Sequence, residues 1–134
     1  MTDPVLFVCS RLGGKVSMEL EAMLSGMQRH WEICRFGAME EMLYEAQVAM
    51  KPQAAMMEIH SRMDLEQVSL LRQTHPETYV LLVLPNRMPH IMIHALMLKP
   101  YAFAFADQGL DDLRLALLRL VGHFSAQEGL LKVM

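Results

Sequence analysis

The sequence predicts an α/β fold built as a five-stranded, doubly wound parallel sheet. Two observations carry that expectation. Five short segments are near-continuous runs of aliphatic, aromatic and small apolar residues, as strands covered on both faces must be. Between them lie segments whose apolar residues recur every three or four positions, the spacing of a helix that buries one stripe. Regular alternation of the two calls for crossover connections, which are right-handed and place helices on both sides of the sheet.

The first strand is Val5-Leu6-Phe7-Val8, closed by Cys9-Ser10 and then by Gly13-Gly14. A helix over residues 15–27 follows, with Val16, Leu20, Met23, Leu24 and Met27 on one face and Glu19 and Glu21 on the other. Residues 31–36 form the second strand. Met42, Leu43, Ala46 and Met50 then mark a helix over 39–50 that Pro52 stops. The third strand is 54–59. Asp64 followed by Gln67 resembles a capping box and opens a helix through Val68, Leu71 and Arg72. Residues 79–84, Tyr-Val-Leu-Leu-Val-Leu, are the clearest buried strand. Pro89 suits the first turn of a helix over 89–98. Pro100 precedes a fifth strand at 101–105, and Gly109 leads into a last helix over 110–124.

The 134 residues and 15.3 kDa fit one domain. A hydrophobic share of 53% against 20% charged residues supplies a core and excludes disorder. The formal net charge of −3 has the wrong sign for a domain that grips phosphate backbones, so no direct nucleic-acid contact is expected. Charges or prolines interrupt each apolar run well before the ~20 residues of a membrane span. Two cysteines, Cys9 and Cys34, and no recognisable secretory signal point to the cytoplasm rather than to a disulfide scaffold. The fourteen methionines fit either plastic packing surfaces or a drift in amino-acid usage.

In open parallel sheets chemistry sits beyond the carboxyl ends of the strands. The residues there are Cys9, Ser10, Glu58, Pro85, Asn86, Ala106 and Asp107. Here the chain resembles the receiver domain of bacterial response regulators, most nearly that of LuxR-type transcription factors, a (βα)5 flavodoxin-like fold. Residues 52–59 are similar to the third-strand pattern, Thr74-His75-Pro76 precede the fourth strand as in that family, and residues 102–113 resemble the fifth strand and its exit. The likeness spans residues 4–124.

A working receiver, the resemblance implies, holds Mg²⁺ with two acids after the first strand and phosphorylates an Asp after the third. A Thr or Ser after the fourth strand and a Lys after the fifth bind the transferred oxygens. Matched position by position, the acid pair is Cys9-Ser10, the acceptor Glu58, the hydroxyl position Pro85 and the Lys position Ala106. Cysteine and serine give a hard cation no carboxylate. The extra methylene of Glu58 shifts its carboxylate by ~1.5 Å, and in-line attack tolerates less. Pro85 offers neither hydroxyl nor N–H, and Ala106 has no cation. These five residues therefore read as a vestigial receiver site, with no catalytic residue, metal or cofactor expected. Glu58 is either a permanent charge that mimics activation or a solvated carboxylate at a strand end.

His90 and His94 stand at the i, i+4 spacing of a paired metal ligand, with His60 the one conceivable third partner; ordinary surface histidines fit as well. Gly13-Gly14 lacks the spacing of a phosphate loop. The last helix carries Leu113, Leu115, Leu117, Leu118, Leu120, Val121 and Phe124 around more than one stripe, and the helix over 89–98 is similarly apolar. An interface of Ile93, Leu96, Met97, Phe103, Leu113, Leu117 and Val121 is expected from this, on the helix 4–strand 5–helix 5 face through which receivers commonly pair.

The expectation is thus a pseudo-receiver domain over residues 1–124, with 125–134 a tail or the start of a linker. It would act as a phosphorylation-independent regulatory or protein-interaction module of bacterial two-component signalling or transcription regulation. Its partner would be a second copy or another regulator, with no membrane contact. The alternative is a small-ligand sensor that uses the emptied acidic pocket lined by Cys9, Ser10, Glu58, Pro85 and Ala106.

Overall fold

The computed structural model describes residues 3–11, 13–85 and 88–133, with side chains through residue 126; Asn86 lies outside the described residues. Ten elements alternate: β1 (Val5–Cys9), α1 (Lys15–Ser25), β2 (Glu32–Phe36), α2 (Met39–Val48), β3 (Ala54–Glu58), α3 (Arg62–Thr74), β4 (Tyr79–Leu84), α4 (Pro89–Met97), β5 (Ala102–Phe105) and α5 (Asp111–Val133). The strands form one parallel sheet in the order β2-β1-β3-β4-β5.

The period-two geometry of a strand divides the apolar runs between two cores. Phe7, Cys9, Ala55, Met57, Leu82 and Leu84 face one side, where Met39, Met42 and Ala46 of α2, Leu65, Val68 and Leu71 of α3, and Ile91 and Ala95 of α4 cover them. Leu6, Val8, Ala54, Met56, Leu81 and Val83 face the other, under Val16, Leu20 and Leu24 of α1 and Leu113, Ala116, Leu117 and Leu120 of α5. Both faces of β1, β3 and β4 are covered, which is why these runs lack polar alternation. Edge strand β2 instead exposes Glu32 and Arg35, a polar edge that discourages pairing with other chains. Arg35 Nε also pairs with Glu21 Oε1 of α1 at 2.6 Å.

Three sequence expectations change. Helix α3 begins at Arg62 with Ser61 as its N-cap, so Asp64 lies in the first turn rather than at the cap. Its carboxylate accepts the backbone N–H of His60 at 2.7 Å, four residues back. Helix α5 runs to Val133, past the expected stop near residue 124, because Ser125, Gln127 and Glu128 interrupt the apolar pattern without ending the helix. Leu113 and Leu117 are wholly buried against the sheet and belong to its core, so they present no surface to a partner. Val121 is half-buried on the same core and Phe103 half-buried on the opposite one.

Candidate functional site at the switch point

The chain leaves β1 for β2 on one side and returns to β3 on the other, so the carboxyl ends of β1 and β3 flank the switch in strand order. Cys9 pairs with Met57 in this register, which brings the end of β1 beside Glu58. A cavity of about 160 Å³ opens there, lined by Cys9, Ser10, Arg11, the turn from Gly37 to Glu40, Glu58, His60 and Asp64. Three of the five expected site residues therefore meet. Pro85 and Ala106 follow β4 and β5, beyond β3, and line no part of this cavity. The Ala106 N–H donates to the Leu84 carbonyl at 2.9 Å, and its methyl packs on the core beneath α5.

Glu58 ends β3 with its side chain only 10% exposed. Its Oε1 accepts the backbone N–H of Arg11 at 3.0 Å and lies 3.3 Å from His60 Nε2. Asp64 then fixes the His60 backbone, so one carboxylate, one imidazole and a second carboxylate are linked in series. Across the cavity, Glu40 Oε1 accepts an N–H from Gln67 Nε2 at 3.0 Å, tying α2 to α3. The Glu40 carboxyl is held below its ordinary range by its own backbone N–H and by this amide.

The Cys9 thiol is pushed up to about 12, first by burial and then by the negative charges of Asp64, Glu40, Glu58 and Glu41. At neutral pH it is a protonated, apolar wall. A thiol and a hydroxyl at the end of β1 do not suit a hard divalent cation, which takes carboxylate oxygens. Among the described residues, no group of three or more His, Cys, Asp or Glu side chains is arranged to hold a metal ion. The Mg²⁺ implied by the receiver resemblance therefore does not fit this residue set. His60 approaches Glu58 instead of joining His90 and His94, of which His90 is exposed and His94 half-buried on α4.

Arg11, His60, Asp64 and Glu40 were not predicted as parts of this site. Arg11 contributes a backbone N–H, which has no residue signature. His60 and Asp64 carry a local one: the pair stands four apart across the start of α3, where a carboxylate in the first turn reaches back to free N–H groups.

No family model matches the sequence, and no curated protein matches it. Solved structures do share its architecture. The isolated REC domain of RcsB from Salmonella enterica serovar Typhimurium superposes with a TM-score of 0.73 at 12% identity, covering 89% of this chain and 88% of that one. A response regulator receiver protein from Pseudomonas putida gives 0.72 at 12% identity over 89% and 98%. A DNA-binding response regulator of the LuxR family from Staphylococcus aureus gives 0.66 at 16% identity over 88% and 98%. The fold is the receiver-type, flavodoxin-like α/β fold.

Proposed function

We propose that this chain is a regulatory protein-interaction module of bacterial signalling or transcription regulation, a pseudo-receiver that works without phosphorylation. The observation that carries the reading is the engagement of Glu58. Its side chain is nine-tenths buried with Oε1 engaged by Arg11 N–H and His60, and no carboxylate stands at positions 9 and 10 to hold a metal beside it. In-line transfer needs a metal and a cation to offset the charge of the transferred group, and positions 9, 10 and 106 supply neither.

The output surface in this reading is the face formed by α4, β5 and α5. Ile93, Leu96 and Met97 on α4 are 62%, 47% and 74% exposed, and Tyr101, Leu115 and Leu118 continue the apolar surface. A groove of about 640 Å³ along the free edge of β5, lined in part by Phe103, Leu115 and Arg119, completes it. Burying such a patch against a second copy or another regulator removes apolar surface from water. The alternative, ligand sensing in the emptied acidic pocket, is not favoured: about 160 Å³ is well under the ~300 Å³ at which small-molecule sites begin.

Two measurements test the proposal. Incubation with Mg²⁺ and acetyl phosphate leaves the intact mass unchanged; a phosphorylated adduct on Glu58 overturns it. Light scattering gives a dimer, or a complex with a partner regulator, that Met97→Glu dissociates while the fold persists. Self-association that survives Met97→Glu and Ile93→Glu assigns the output to another face.

A further inference from the structure

The opposite edge of the sheet, where the strands begin, carries a separate cavity of about 430 Å³. Arg72 from the last turn of α3, Thr78, Tyr79 and Val80 at the start of β4, and Lys99 and Tyr101 around the turn into β5 line it. Arg72 and Lys99 form no ion pair among the described residues. The carboxylate at the rim, Glu77, is held by Lys51 at 3.2 Å. The cavity thus gathers two cations that have no ion pair among the described residues, with Glu77 at its rim held by Lys51.

Lys99 is the sole non-glycine residue at positive φ, 52°, among the described residues. It follows α4, where its N–H donates to the Leu96 carbonyl at 3.0 Å. Glycine closes a helix in this conformation without steric cost, and a lysine does not. The strained residue lines the cavity, and strain of this kind points toward a use for it there.

The wall is aromatic and fixed. The Tyr79 and Tyr101 rings meet edge to face, 5.2 Å apart at 81°. Tyr79 is braced from behind by Phe124 at 6.0 Å and by His123, whose Nε2 lies 3.5 Å from the phenol oxygen. Tyr101 is 41% exposed and has ring surface to offer. The Thr78 hydroxyl is already committed to the Pro52 carbonyl, so recognition falls to the cations and the rings.

We propose that this cavity binds a small aromatic anion, a planar ring bearing a phosphate or carboxylate group. Arg72 and Lys99 hold the anionic end, the guanidinium by its paired N–H donors, and Tyr101 packs on the ring. The volume lies within the range of small-molecule sites, unlike the cavity at Glu58. Lys99 and Tyr101 belong to the turn joining α4 to β5, so an occupant bears directly on the docking face proposed above.

Calorimetric titration of the full chain with AMP, GMP, 4-hydroxybenzoate and inorganic phosphate tests this. The expected result is saturable binding of at least one ring-bearing anion with Kd below about 1 mM, and binding of inorganic phosphate at least about tenfold weaker. Saturation by the nucleotides alone assigns the phosphate class, and by 4-hydroxybenzoate alone the carboxylate class. Arg72→Gln and Lys99→Gly each weaken binding about tenfold. Lys99→Gly melts no lower than wild type because it relieves the backbone, so its loss of binding reports charge rather than fold. Absence of saturation by every ring-bearing anion, equal affinity for inorganic phosphate, or unchanged affinity in both variants overturns the proposal.

Discussion

The backbone N–H of Arg11 donates to Glu58 Oε1 at 3.0 Å, joining the exit of β1 to the end of β3 across 47 residues of chain. The same oxygen lies 3.3 Å from His60 Nε2. Through this one oxygen the carboxylate holds two loops together at the position matched to a receiver's acceptor. Such a bond is made to a charged acceptor with little solvent access, where hydrogen bonds are stronger than average.

Replacing Glu58 with Ala leaves the exposed Arg11 N–H to water and is expected to cost about 0.5–1.5 kcal/mol in urea unfolding. Glu58→Gln keeps an acceptor oxygen and loses less. Shortening to Glu58→Asp breaks the reach to Arg11 without restoring phosphorylation, since Cys9 and Ser10 remain. A phosphoryl mass increment in Glu58→Asp with Mg²⁺ and acetyl phosphate would show that the missing acids are not what silences the site.

Cys9 makes stability depend on alkaline pH. Its folded value of about 12 stands above the ordinary 9.0, mainly through burial, so the folded protein holds this proton more tightly than the unfolded chain does. The contribution is complete below 9.0 and is lost as pH rises from 9.0 toward about 12. Urea midpoints measured through this window should fall less steeply in Cys9→Ala than in wild type. Burial also raises the Cys34 thiol, so a shallower slope of the same sign remains in the variant. In the native state at neutral pH, Cys9 resists thiol reagents that modify it readily once the chain unfolds. Identical slopes in wild type and Cys9→Ala would refute this assignment.

Two substitutions to glutamate separate core from surface on the α4 and α5 helices. Leu117 is wholly buried, and Leu117→Glu places a carboxylate under the sheet at a cost above about 3 kcal/mol, enough to unfold much of the population. Met97 is 74% exposed, and Met97→Glu should leave the melting temperature within about 2 °C of wild type. Circular dichroism melts of both variants check the pair. A folded Leu117→Glu would mean that α5 is not packed as described.

The contrast between Leu117 and Met97 shows where sequence reasoning succeeds and where it stops. All ten elements and their order were legible because strands covered on both faces read as unbroken apolar runs, Val5–Cys9 and Tyr79–Leu84 above all. The face of a helix is harder to read when apolar residues surround it. On α5, Leu113 and Leu117 point into the sheet while Leu115 and Leu118 point out, and composition alone does not distinguish them. Cys9, Ser10 and Glu58 line the cavity at the switch point because strand ends place them there by topology. Pro85 and Ala106 follow β4 and β5 and stand outside this cavity, which opens toward α2 and α3. The Arg11 contact could not have been read at all, since a backbone N–H belongs to every residue but proline.

Thr78 is the one fully buried polar side chain among the described core residues, and it links the two loops that open β3 and β4. Its Oγ1 donates to the Pro52 carbonyl at 2.8 Å, while Tyr79 N–H donates to the Gln53 carbonyl at 2.9 Å beside it. Proline has no N–H of its own, and its buried carbonyl depends on this hydroxyl. Thr78→Val preserves shape and removes the donor, so about 1–2 kcal/mol of stability should be lost. Thr78→Ser keeps the hydroxyl and gives up one methyl, about 1 kcal/mol by area burial. Urea unfolding therefore should rank wild type above Ser, and Ser at or above Val. If Val proves as stable as wild type, the bond at Pro52 is replaceable by packing, and the coupling of these loops rests on the Tyr79–Gln53 bond and the β3–β4 ladder.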